Sequence, residues 1–172
     1  KNCPMCGKLF NDTGHKVCMD CYDKILETPV VVAAAKDSPL SKITVIKEGF
    51  SHPWLSDEAI LNENIVLDRG ERSFRRYAGH LFSQGKKQLH SEITVTNART
   101  ALLCVEQDMG IIILPELIIQ ELHYQDCIDL YSFGPEERRA ALYAISDPKT
   151  VLANEVQTFG KVAREIICQR ES

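Results

Sequence analysis

The sequence has no run of 18 apolar residues and no charged-then-apolar leader, so neither a spanning helix nor an export signal is expected. It has no excess of positive charge. Its 20 Lys and Arg stand against 24 Asp and Glu, a formal net charge of -4, so no basic field directs it to nucleic acid or anionic membrane. GxSxG, P-loop, GxGxxG and HExxH patterns are missing, and His52, His80, His90 and His123 show no metal-ligand spacing. No nucleophile has an evident base, so an enzyme is not expected and no catalytic residue is nominated. Internal repeats and low-complexity tracts are missing too.

What is present is an ordinary soluble composition, 44% hydrophobic and 26% charged over 172 residues. Such a chain has room for one core, or one core and a small appendage. Four of the 7 cysteines fall in two CxxC pairs and the rest lie in apolar contexts. That usage suits a reducing compartment with thiolate metal binding, and a cytoplasmic protein is the expectation.

The pairs define the first segment, residues 1–25. Cys3 and Cys6, then Cys18 and Cys21, each set two sulfurs on one tight turn, and a short loop can bring the turns together as a tetrahedron. With few apolar residues the segment lacks a core of its own. Metal binding would supply its folding energy, on the order of 10 kcal/mol. Four thiolates close the coordination sphere, so one structural zinc per chain is expected, with a redox pair or an iron centre as the alternatives. His15 could replace a cysteine, or be a solvated loop residue. The segment resembles the short cysteine ribbons that open many small bacterial proteins, some from flagellar operons, which bind nucleic acid, bind protein or cap a fold.

Residues 28–172 read as a second, α/β domain. Its organising stretch is 92–116, EITVTNARTALLCVEQDMGIIILPE. Ile93 to Val95 suits a strand, and Asn97 is an N-cap for a helix with Ala98, Ala101, Leu102 and Val105 on one apolar face. Gly110 is expected to close that helix in the left-handed conformation, Ile111 to Leu114 to form a central parallel strand, and Pro115 to start the next helix at N1. Upstream, Val30 to Ala35 reads as a buried strand, residues 41–53 as irregular, residues 54–61 as a short helix, and Ile65 to Leu67 as a strand. A polar loop at 68–73 leads to a helix with Phe74, Tyr77, Ala78, Leu81 and Phe82 on its buried face, stopped by Gly85. Downstream, 127–133 and 140–146 read as strands. A long helix after Asp147-Pro148 has Leu152, Val156, Phe159, Val162, Ala163, Ile166 and Ile167 on one face.

These pieces occur in an order that resembles the effector-binding domain of LysR-type transcriptional regulators. PVVVAAAKDSPL resembles the strand that crosses between that family's subdomains and ends in an "HPL"-type turn. NENIVLDRGERSFRR is similar to its strand, loop and helix, and ITVTNARTALLCVEQDMGIIILPELI to its helix and "G-[IV]-x-[LI]-[LM]-P" strand. AALYAISDPKTVLANEVQTFGKVAREI resembles the returning strand and last helix. The resemblance implies a periplasmic-binding-protein-like α/β fold with a parallel sheet and flanking helices, a small effector held in the cleft between subdomains, and a homodimer. The family's winged helix-turn-helix, linker helix and first βαβ portion have no counterpart here, so DNA enters only through a DNA-binding partner.

Two loops are the candidate effector sites. Arg69, Gly70 and Ser73 precede a helix whose free amides, with two arginines nearby, could hold a carboxylate or phosphate; a solvent-facing capped helix start is the plain alternative. Thr96, Asn97 and Thr100 stand at a strand-to-helix junction, where ligands bind in open α/β sheets, although Asn97 would cap the helix in any case. Cys104, Cys127 and Cys168 read as small core hydrophobes. Two functions compete: a ligand-sensing regulatory domain for a small, anionic effector, and an adaptor whose cysteine segment docks on protein or nucleic acid. An extracytoplasmic solute-binding protein conflicts with four free thiolates.

Overall fold

The apolar run Val30 to Ala35 lies in the middle of a sheet. The computed structural model describes residues 22–68, 93–145 and 153–169. In it this run forms the second half of strand β1 (Tyr22–Ala35) and is buried throughout. On one side β1 pairs with β5 (Ile112–Pro115), Val31 opposite Leu114. On the other it pairs with β6 (Ile128–Phe133), Val32 opposite Tyr131. Outside β6 runs β2 (Trp54–Leu55), parallel to it, and β7 (Arg139–Ile145) also pairs with β1.

β3 (Val66–Asp68) and β4 (Ile93–Val95) form a parallel pair that joins this sheet through the bridge between Ile65 and Ile111. There the Ile111 N–H donates to Asn64 O at 2.8 Å and the Val66 N–H to Ile111 O at 2.9 Å. The path across is therefore β4-β3-β5-β1-β6-β2. The expected parallel sheet is corrected to a mixed one, because β1 runs antiparallel to β5 and to β6. A continuous apolar run signals a strand covered on both faces, whichever direction its partners take.

Three short helices follow strands in the unit Thr28–Ala140. α1 (Asp57–Leu61) is capped by Ser56, whose hydroxyl accepts from the Ala59 N–H, so 54–61 is a strand end followed by a helix. α2 (Ala98–Glu106) buries Ala101, Leu102 and Val105, the face its spacing indicates, and α3 (Glu116–Glu121) buries Ile119. Pro115 ends β5 and occupies the N-cap of α3, one residue earlier than expected. Within 41–53 the chain is more regular than its composition suggests, since Pro39–Ile43 is a 3-10 helix capped by Ser38.

The end of α2 differs from expectation in an informative way. Asp108 takes the left-handed position, with φ 56, and Gly110 has φ 148. A Cβ on Gly110 would press on the Asn64 carbonyl closer than contact allows. This glycine is required by backbone approach between two strand entries, not by helix termination.

Described residues 22–27, 141–145 and 153–169 belong to a second unit. α4 (Ala153–Gln169) buries Gly160, whereas Phe159, Val162 and Ile166 are exposed. The apolar face that their spacing indicates is exposed at these three positions. Helical periodicity identifies an apolar face but not what covers it.

Candidate functional site

The strand register aligns one edge of the larger unit. Asp68 is opposite Val95, Leu114 opposite Val31, and Trp54 opposite Ser132, with the Ile65–Ile111 bridge setting β3 against β5. Beyond that row the chain leaves β2 for Ser56 and α1, β4 for Thr96 and α2, and β5 for α3. Three helices thus begin at one edge of the sheet, at the carboxyl ends of the strands that precede them. That is the position at which open α/β sheets bind ligands.

Of the three starts, α2 is electrostatically distinct. α1 has Asp57 and Glu58 in its first turn and α3 has Glu116, but α2 has no acid there. Arg99 is exposed in that turn, as are Thr96, Asn97 and Thr100 around it. The partial positive charge of the α2 amides is therefore not offset by a local carboxylate. Asn97 Oδ1 accepts the Thr100 N–H at 2.9 Å, which fixes the side-chain oxygen as a cap. An exposed hydroxyl lies on each side of it. Chemically the end of α2 offers N–H and O–H donors and one guanidinium, a set suited to a small anion.

Arg69, Gly70 and Ser73, with the helix expected after them, lie outside the described residues; β3 ends at Asp68, one residue before them. Asp68 pairs with Val95, so the chain exits β3 and β4 at adjacent points of the edge. Cys3, Cys6, Cys18 and Cys21 also lie outside the described residues. Among the described residues no group of three or more His, Cys, Asp or Glu is placed to hold a metal ion. Cys104 and Cys127 are free, half-buried and packed against the core, as expected of small hydrophobes.

The structure adds polar contacts that the sequence did not single out. His52 Nε2 lies 3.0 Å from Glu116 Oε2, tying the loop before β2 to the first turn of α3. The buried Thr28 hydroxyl accepts the Leu117 N–H at 3.1 Å and anchors the same turn. Neither pair has a local spacing in the sequence, since their members are 64 and 89 residues apart. Glu137 receives the Ser51 N–H at 2.6 Å and Arg139 Nη1 at 2.7 Å. Burial pushes the Glu137 carboxyl up, but hydrogen bonds from Ser51 and the Arg139 charge outweigh it and hold it below the usual carboxylate range. At the far side of the unit, burial, then Asp129 and Asp37, push the Tyr131 phenol up to about 12, so it stays protonated.

The family model described as the LysR substrate binding domain matches residues 21–166. No curated protein matches by sequence. Among solved structures, the regulatory domain of NMB2055 (MetR), a LysR family regulator from N. meningitidis, superposes with a TM-score of 0.62 at 14% identity, covering 84% of this chain and 62% of that one. The CcmR regulatory domain from Synechocystis PCC6803, solved in complex with 2-PG, gives 0.66 at 16% identity, covering 85% and 66%. The effector binding domain of QuiR, solved with shikimate, gives 0.60 at 15%, covering 93% and 69%. The chain spans a little less than two thirds of the MetR and CcmR domains, and identities this low establish a shared fold.

Proposed function

The chain belongs to the LysR substrate binding domain family, whose members are regulatory domains and not enzymes, and from that premise we propose that it senses a small anionic effector. The observation that carries this reading is the start of α2. It stands at the carboxyl end of β4 with exposed Thr96, Asn97, Thr100 and Arg99, and no acid in its first turn. Arg69, Gly70 and Ser73, which follow the adjacent strand end, are proposed as the second group of effector contacts. MetR, CcmR and QuiR are regulators of the same fold, and the CcmR and QuiR domains were solved with small ligands, 2-PG and shikimate. The effector acts by population shift, favouring the conformation in which the α2 and β3 exits present their donors together. The setting is cytoplasmic, the reading that free thiolates favour. No helix among the described residues is long and apolar enough to cross a membrane.

A thermal-shift screen of small carboxylates and phosphate monoesters tests the sensing role. An effector present at about 100 times its Kd stabilises by roughly 2.7 kcal/mol, which raises Tm by about 5–10 °C for a chain of this size. Complete indifference to both classes would rule the reading out. We further propose that Cys3, Cys6, Cys18 and Cys21 hold one structural zinc, on the strength of four thiolates at paired CxxC spacing. Native mass spectrometry of protein purified without added metal should find one zinc per chain, and metal-free protein would refute it.

A further inference from the structure

α4 carries an apolar stripe on the side turned away from its buried face. Gly160 is buried, and at about 100° per residue Val162 stands roughly 200° round the helix from it. Phe159 and Ile166 lie to one side of Val162, within about 60° of it. The polar residues Thr158, Lys161 and Glu165, also exposed, take the other side of the outer surface. Phe159, Val162 and Ile166 are 66%, 45% and 50% exposed, which leaves roughly 300 Å² of apolar surface in water. A stable interface between separate molecules buries about 800 Å² on each side, so this stripe alone is too small to hold a second protein. A segment already tethered to the same unit needs no such area, because its effective concentration is on the order of millimolar.

We propose that the occupant of this stripe is the chain's own first segment, residues 1–21, with Leu9 and Phe10 seated on Phe159, Val162 and Ile166. The place where the segment joins the fold supports this. It enters β1 at Tyr22, and residues 22–27 of β1 belong to the unit that contains α4. α4 has 17 residues and is about 25 Å long, whereas residues 1–21 fully extended span up to about 70 Å, so reach is not limiting. The segment's composition supports it as well. Met5, Leu9, Phe10, Val17 and Met19 are too few to form a core alone, and Phe10 is its only aromatic residue. Lys8 directly precedes Leu9, and Glu155 is exposed one turn before Phe159 on the same side of α4, a carboxylate of opposite charge. Docking removes apolar surface from water on both partners, which is its driving force. It requires neither zinc nor effector and stands apart from both of those readings.

Photo-cross-linking in the full chain tests it. A photoreactive benzoylphenylalanine is placed at Phe159, an exposed position, and the adducts formed on irradiation are mapped by mass spectrometry. The expected product is an adduct within one molecule, joining α4 to residues 1–21. Phe10→Lys lowers its yield about tenfold or more, since burying an aromatic side chain is worth at least that factor. The same probe at Lys161, on the polar side of the helix, gives little of it. Adducts between two molecules, adducts confined to other parts of the chain, or none at all overturn the proposal. So does a yield that survives Phe10→Lys, or one that is equal from the two probe positions.

Discussion

Replacing Gly110 by alanine tests how the candidate site is attached to the rest of the sheet. Gly110 precedes Ile111, whose N–H donates to Asn64 O at 2.8 Å in the bridge joining β3 and β4 to β5. Two costs add. The backbone at φ 148 is one that an L-residue rarely adopts, a strain of about 1–3 kcal/mol. The new Cβ also meets the Asn64 carbonyl, which must move and weaken the bond to the Ile111 N–H, on a residue 2% exposed. A buried donor left unsatisfied costs roughly 1–3 kcal/mol. The sum is about 2–6 kcal/mol, or a fall in Tm of about 4–24 °C. Gly49→Ala is the control. At φ 85 with nothing within 4 Å of its would-be Cβ, it carries backbone strain alone, about 1–2 kcal/mol. Calorimetry and urea titration of both variants give the comparison. Equal destabilisation would refute the claim that close approach to Asn64 is what requires glycine.

Asn97→Ala removes the cap on Thr100 and should cost about 1 kcal/mol in urea titration, whereas Asn97→Ser should cost only a small part of that. Burial, followed by repulsion from Asp108, pushes the Glu63 carboxyl above its ordinary value. Its ionised form therefore opposes folding at neutral pH, the penalty is relieved as pH falls through the raised pKa, and Glu63→Gln should raise Tm at pH 7 with little effect in acid. Glu137 works in the opposite sense. Its stabilisation is complete above the ordinary carboxylate value of 4.5 and is lost as pH falls through its lowered folded pKa. Glu137→Gln should lower Tm at neutral pH and flatten the acid limb of the Tm-against-pH curve.

Local chemistry was legible wherever it was settled within a few residues. The alternation of strand, helix, strand and helix start across 92–116 is present as β4, α2, β5 and α3, and Asn97 caps the helix it precedes. What the sequence does not contain is the identity of neighbours. The run at Ile111 to Leu114 announces a strand buried on both faces, but its antiparallel pairing with β1 depends on a segment some 80 residues earlier. Gly110 looks like a helix terminator because α2 ends close by, whereas its role depends on Asn64, which enters from β3. Phe159, Val162 and Ile166 keep helical spacing yet stay exposed on α4. At the candidate site, Thr96, Asn97 and Thr100 were indicated by a strand-to-helix junction. The missing acid in the α2 first turn acquires meaning only when the other two helix starts are found at the same edge.

The central claim is that the start of α2 binds a small anion, and the most direct measurement compares effector-induced stabilisation in the unsubstituted chain and in Asn97→Asp. Aspartate caps a helix as well as asparagine does, so the ligand-free Tm should hold while a negative charge is set beside the α2 amides. The account predicts that a carboxylate or phosphate ester raising the Tm of the unsubstituted chain loses that effect in the variant. An effector that stabilises both proteins equally would contradict it, and would place the binding site elsewhere.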